Sequence, residues 1–231
     1  MVMASNLVSN GDFATNLDGW TMHRTIDGDT LVSPIHSTVG YPPGSLRLER
    51  AMTNPAASTN GHRFMQWIPV TPGTSYQVRG QWRGDLSAGA VGSNWAEVYI
   101  GFTADPNIGQ ATWHQFRRYR KQWDGVNNIN VAASGQWDWE NITSSPSGTP
   151  PAAFTAQDGQ NYMLVAFNLG GSILTPSSAQ PFVHFDNIVV IACNAWLAGD
   201  ANQDCQVNFR DLGILANQWL LCNMDPASAC W

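Results

Sequence analysis

The 231-residue chain is only 12% charged, has a net charge of −6 and contains a single lysine, Lys121. That negative balance does not resemble a nucleic-acid footprint, which needs clustered positive charge, and no apolar run approaches the ~18–20 residues needed to span a bilayer. Eleven tryptophans and 21 glycines, with Pro, Ser, Thr and Asn spread throughout, suit many short strands joined by turns. In chain order, residues 6–20 read as a short strand and a turn-rich segment ending in Trp20. Residues 40–44 form a turn before the alternating strand 45–49, and 64–70 make the next strand. In Thr71-Pro72-Gly73-Thr74 the proline presets φ and the glycine accepts positive φ, so a tight turn is expected. Residues 76–83 alternate strictly, with Tyr76, Val78 and Trp82 on one face and Gln77, Arg79, Gln81 and Arg83 on the other. Along 95–102, Val98, Ile100 and Phe102 form the apolar set, and Trp95, Glu97 and Tyr99 share the opposite face.

Residues 113–120 fit a strand and 124–130 a loop. Residues 137–143 resume a strand, followed by a loop over 144–151. Residues 162–169 and 182–191 are apolar strands separated by a Gly170-Gly171 turn and a Ser/Pro loop. No helical period precedes residue 210, which argues an all-β sandwich over residues 5–192. Residues 193–231 form a small second unit. From Leu212 the period changes, with Leu212, Leu215, Trp219 and Cys222 on one helical face.

The tail opens with a pattern that carries chemistry. From Asp200 to Asp211, oxygen-bearing side chains recur at positions 1, 3, 5, 9 and 12: Asp200, Asn202, Asp204, Asn208 and Asp211. With the backbone carbonyl of Gln206 at position 7, this is the spacing by which an EF-hand-type loop wraps a hard cation. An all-oxygen donor set in a flexible loop selects Ca2+. Val207 at position 8 and the apolar helix after position 12 also fit. Cys205 stands at position 6, where glycine normally makes the sharp turn.

All four cysteines, Cys193, Cys205, Cys222 and Cys230, crowd into this tail. An even number in so small a unit reads as a disulfide framework and an oxidising compartment. About 40 residues bury too little apolar surface to be stable alone, so staples are needed. Cys222 lies eleven residues beyond Asp211, ~16 Å along a continuous helix. A disulfide holds Cα atoms ~4.4–6.8 Å apart, so Cys205 is expected to pair with Cys193 or Cys230 and not with Cys222. Residues 1–10 lack the basic and apolar regions of a secretory signal, and the chain is expected to be a form from which a leader has been removed.

The order of motifs in the larger unit carries a resemblance. Asn10-Gly11-Asp12-Phe13 with Trp20, Gly44 to Leu48, Gln66 to Val70, Pro72 to Tyr76, Trp139 and Phe185-Asp186-Asn187-Ile188 appear in sequence. Together they resemble carbohydrate-binding modules of the galactose-binding-like jelly-roll type, of the kind grouped in families four, nine and twenty-two. That resemblance implies two antiparallel sheets with a glycan groove on one face. It also implies a structural calcium near the first and last strands, where Asp12 and Asp186 match the motif carboxylates. The acidic residue that commonly follows the opening Phe is replaced by Ala14. Residues 197–212 look like one dockerin-type repeat, where a standard dockerin has two. The resemblance implies a cohesin-like or surface protein partner for the tail.

Sugars are read by flat aromatic faces and by polar side chains on their hydroxyls. Arg79, Gln81, Trp95, Glu97 and Tyr99 have this chemistry and are the candidate groove. Trp67 is a candidate for exposure, Trp113 and Trp123 lie in the irregular insert, and Trp20, Trp82 and Trp139 are expected in the core. Glu97 and Asp85 do not make a glycosidase acid/base pair. There is no nucleophile elbow, phosphate loop or metal-ligand histidine spacing, so no catalysis is expected. The sequence thus supports a secreted, non-catalytic polysaccharide-binding protein with a calcium-stabilised docking or anchoring tail. A second expectation is an extracellular structural subunit that self-associates through its jelly roll, with calcium rigidifying the contacts.

Overall fold

The computed structural model describes residues 6–23, 34–40, 43–50, 63–88, 94–107, 111–120, 128–131, 135–142, 153–171 and 180–193, and residues 199, 207, 209 and 211–216 of the tail; the side chains of 113–120 and 128–131 lie outside that description. The strands are β1 (Thr21–His23), β2 (Ile35–Ser37), β3 (Ser45–Glu49), β4 (Arg63–Pro69), β5 (Ser75–Asp85) and β6 (Asn94–Thr103), then β7 (Thr112–Arg120), β8 (Asn128–Val131), β9 (Gln136–Asn141), β10 (Phe154–Thr155), β11 (Tyr162–Gly171) and β12 (Phe182–Cys193). They build two sheets, β1-β4-β11-β6-β7-β8 and β10-β5-β12-β3-β2, with β9 also pairing β5. Pairings are antiparallel except that of β7 with β8. The fold is the expected jelly-roll-type β-sandwich.

Period-2 alternation decides which side chains meet between the sheets. The first sheet sends in Phe64 and Ile68 from β4, Ala96, Val98, Ile100 and Phe102 from β6, and Met163, Val165, Phe167 and Leu169 from β11. The second answers with Leu46 and Leu48, Tyr76, Val78 and Trp82, and Val183, Phe185 and Val190. Phe167 and Phe185 stack across the layer at 4.4 Å. Trp20 closes one end against Phe13, Phe64 and Phe167. Burying each such ring stabilises the sandwich by about 1.5–3 kcal/mol. The expected core positions of Trp20 and Trp82 hold.

The N-terminal segment straps the last strand. Register in β12 shifts between Asp186 and Val189, which frees backbone groups there. Asn6 takes them up: Nδ2 donates to the Ile188 carbonyl at 3.0 Å and Oδ1 accepts from Val190 N at 2.9 Å. Ile188 N in turn donates to the Gly11 carbonyl at 2.8 Å. A Cβ on Gly11 would lie 2.1 Å from the Ile188 carbonyl oxygen, so only glycine allows this approach.

Three expectations are corrected. Residues 128–130, in the stretch expected as a loop, belong with Val131 to β8 and pair with β7. Gly170 and Gly171 make no turn but end β11, paired with Trp95 and Asn94; their missing side chains leave room for the Trp95 indole and the Arg50 guanidinium. Trp139 lies outside the core, for a reason given below. In the tail, residues 211–216 are helical (α1), as the change of period predicts, and Leu212 and Leu215 are 57% and 46% exposed. The turn at Thr71–Thr74 forms as expected, with Gly73 at φ 79° and Thr74 N donating to the Thr71 carbonyl at 3.1 Å. Cys193 is disulfide-bonded, and its partner lies outside the described residues.

Candidate functional site

The five candidate groove residues divide between two surfaces. Trp95, Glu97 and Tyr99 point outward from β6 in the first sheet, because Ala96, Val98 and Ile100 point into the core. Arg79 and Gln81 point outward from β5 in the second sheet, opposite in sense to Tyr76, Val78 and Trp82. The outer faces of a sandwich look away from each other, so the expected single face carrying all five does not exist. Alternation within a strand assigned each side correctly. Which sheet a strand joins is set by pairing partners distant in sequence.

On the first sheet, Trp95, Glu97 and Tyr99 stand level with Gly170, Asn168 and Ala166 of β11. Met65 and Trp67 of β4 follow beside Ala166 and Leu164. Glu97 Oε2 accepts from the Tyr99 hydroxyl at 2.7 Å and from Asn168 Nδ2 at 2.6 Å. The Arg63 guanidinium lies 4.4 Å from the Tyr99 ring centroid, a cation–π contact. Met65, Tyr99, Leu164 and Ala166 form a second apolar cluster on this outer face, with Trp67 packed against it. Glu97, Tyr99 and Trp95 are 0%, 5% and 9% exposed, so they are the floor of this face and not an open platform. Trp67, Arg63 and His23 are half-buried on this face, and Thr21 and Pro69 at its margin are exposed. Arg63 and Asn168 were missed in the sequence. Alternation of Arg63, Met65 and Trp67 against Phe64 and Ile68 was a signal for the first, and one amide inside an apolar strand was a signal for the second.

On the second sheet, Arg79 and Gln81 are half-buried. Arg79 Nε donates to Gln77 Oε1 at 2.5 Å, and Gln81 Oε1 accepts from Asn187 Nδ2 at 3.2 Å. Beside them the register sets Arg47, His184 and Arg83 in one row across β3, β12 and β5. His184 Nε2 lies 3.3 Å from an Arg47 nitrogen, which can only donate, so Nε2 accepts and Nδ1–H donates to Ser45 Oγ at 2.9 Å. Burial, then the charges of Arg47 and Arg83, lower the His184 pKa to about 4, so the ring is neutral at ordinary pH.

For calcium, Asp186 is buried and Asp12 exposed, and Asp186 Oδ1 accepts from Asn187 N at 2.6 Å. Among the described residues no three His, Cys, Asp or Glu side chains converge. Asp200, Asn202, Asp204, Gln206 and Asn208 lie outside the described residues. Two features of that stretch are described. Asp211 is 1% exposed while Leu212 beside it is open, and a Cβ built on Gly199, at φ +106°, would lie 3.3 Å from Val207.

No family model matches the chain, and comparison with curated proteins finds no match. Solved structures do share the fold. A candidate sugar-binding protein from Bacteroides thetaiotaomicron is 12% identical, with a TM-score of 0.50 over 81% of this chain and 99% of that one. A family 4 carbohydrate-binding module is 18% identical, with a TM-score of 0.42 over 80% and 98%. The enzymatically active domain of a bacteriophage CBA120 tailspike protein is 15% identical, with a TM-score of 0.45 over 81% of this chain but only 21% of the tailspike chain. At these identities the likeness concerns the sandwich alone.

Proposed function

We propose that this protein is a non-catalytic, secreted polysaccharide-binding protein, with the sugar groove on the outer face of the first sheet. The observation that carries this is the Arg63–Tyr99–Glu97–Asn168 network beside Trp67 and Trp95. An outward sheet face is ordinarily solvated and alternately polar, yet this one buries a hydrogen-bonded carboxylate among aromatic rings. Rigid aromatic and polar groups held by their own network are what hydroxyl and C–H recognition needs. Trp67 and Arg63 are the contact residues; Glu97, Tyr99, Asn168 and Trp95 support them. The sandwich neighbours described as sugar-binding proteins support the same reading.

In this reading the tail binds Ca2+ through Asp200, Asn202, Asp204, Gln206, Asn208 and Asp211, and Asp12 with Asp186 forms a second calcium position. The exposed stripe Phe209, Leu212 and Leu215, at i, i+3 and i+6, is where the tail meets its partner, a cohesin-like or surface protein. The same stripe serves the second reading, self-association into an extracellular assembly. A glycan array tests the main proposal. Wild-type protein should bind at least one neutral glycan, and Trp67→Ala should lose that binding at least tenfold with the melting temperature kept. Failure to bind any glycan would sink the proposal. Size-exclusion with and without chelator separates the two uses of the tail.

A further inference from the structure

We propose that the outer face of the second sheet is a separate binding platform for an acidic, uronate-bearing polysaccharide, centred on Arg83 and Trp139. Opposite Arg83 the pairing of β5 with β9 jumps from Trp82↔Glu140 to Gly84↔Trp137. Asp138 and Trp139 therefore stand against one residue, a β-bulge. In a regular strand residues 137 and 139 would share a face. The extra residue puts Trp137 in contact with Trp82 at 6.0 Å on the inner side and brings Trp139 to the outer side, 6.3 Å from His184. Re-aiming one side chain is the characteristic effect of such a bulge, and bulges recur beside functional sites.

The bulge delivers the indole to a loosely held cation. Arg47, in the same row, is fully engaged: 2.6 Å from Glu49, 3.3 Å from His184, and 4.2 Å from the Phe182 ring centroid. Arg83 is only 4.0 Å from the carboxylate of Asp138, whose side chain is 89% exposed, and 5.9 Å from the Trp139 ring centroid, the outer limit of a cation–π contact. The other carboxylates of this face have partners of their own. Glu49 is held by Arg47, and Asp85 accepts from Ser87 N and Gln136 Nε2, each at 2.8 Å. Asp138 too has a partner, its Oδ1 accepting from Trp139 N at 2.8 Å, so a ligand carboxylate can replace its 4.0 Å contact with Arg83 without leaving Asp138 unpartnered, while the sugar ring lies against Trp139. The lowered His184 pKa, which both arginines help to produce, agrees with a positive field at this row.

The occupant is a glycan more readily than a peptide strand. β5 is paired on both sides at this level, by β12 and β9, so a peptide extending the sheet would add beyond β9 and not over Arg83. What the face offers is side-chain donors and an aromatic plane. Guanidinium, not ammonium, suits the task because it meets a carboxylate through two parallel N–H groups.

The test is affinity electrophoresis of the full chain in polygalacturonate and in a neutral galactan, at low and raised salt. Wild type should be retarded by polygalacturonate, with retardation falling as salt rises. Arg83→Ala should weaken it at least tenfold, Arg83→Lys less, and Trp67→Ala not at all. Trp67→Ala should affect only neutral-glycan binding, so failure of one face is distinguishable from failure of the other. Wild type that ignores polygalacturonate, or Arg83→Ala that binds it unchanged, overturns the proposal. So does loss on Trp67→Ala alone, or a dimer that Arg83→Ala dissolves. Arg83 is partly solvent-exposed, so its truncation should leave the fold intact; Trp139→Ala is a second variant, judged only if its melting temperature is retained.

Discussion

Acidification should remove stability through His184, and the size of the effect follows from its surroundings. The ring is buried between Arg47 and Arg83, and its pKa falls from 6.5 to about 4 on folding. Between those values the unfolded chain takes up a proton that the folded one refuses. Stability from this group is complete above pH 6.5 and is lost progressively as the pH falls toward 4. At about 1.4 kcal/mol per unit, the whole interval is worth about 3 kcal/mol, an upper bound because Arg83 is partly screened by solvent. His184→Gln removes the titration while keeping a polar group between Ser45 and Arg47. At pH 7 the variant should be about 1 kcal/mol less stable, for a hydrogen bond imperfectly replaced. Urea unfolding of both proteins from pH 7.5 to 4.0 gives the comparison, with the surface carboxylates titrating alike in each. The gap should close and then reverse as the pH drops. Two stability curves that stay parallel over the range would refute the reasoning.

Other outcomes are equally specific. Gly84→Ala should cost about 1–3 kcal/mol, because its Cβ would lie 2.5 Å from the Trp137 ring and 2.7 Å from the Phe182 carbonyl oxygen; thermal unfolding reads it. Asn6→Ala should lower stability by about 1–3 kcal/mol, since it strips partners from Ile188 and Val190 at the bulge of β12; hydrogen exchange at Val190 should accelerate in parallel. Asp204→Ala should abolish Ca2+ binding by the tail in calorimetry while leaving the melting of the sandwich unchanged. A peptide map should show Cys205 joined to Cys193 or Cys230, and a Cys205–Cys222 peptide would contradict the helix geometry.

Alternation along 76–83 and 95–102 was enough to say which residues of each strand face the core, because the pleat has a fixed period of two. Motif order pointed to the sandwich, and the Thr71–Thr74 turn followed from the stereochemistry of proline and glycine. The expected cation loop rests on ligand spacing within twelve residues. Apart from the motif order, which runs from Asn10 to Ile188, these are local: each depends on residues within about a dozen positions of one another.

The candidate groove failed in the sequence because it required knowing which strands are neighbours. Glu97 looks solvent-facing by pattern, but Asn168, 71 residues away, and Tyr99 close over it. Arg79 and Glu97 read as partners on one surface, yet β5 and β6, consecutive in the chain, lie in different sheets. Trp139 is expected in the core because tryptophan supplies large buried area, and one unpaired register step turns it to the outer side. Period, turn chemistry and ligand spacing are properties of the chain itself. Sheet membership, bulge position and the company a charged side chain keeps arise from contacts between distant segments, and only the folded protein decides them.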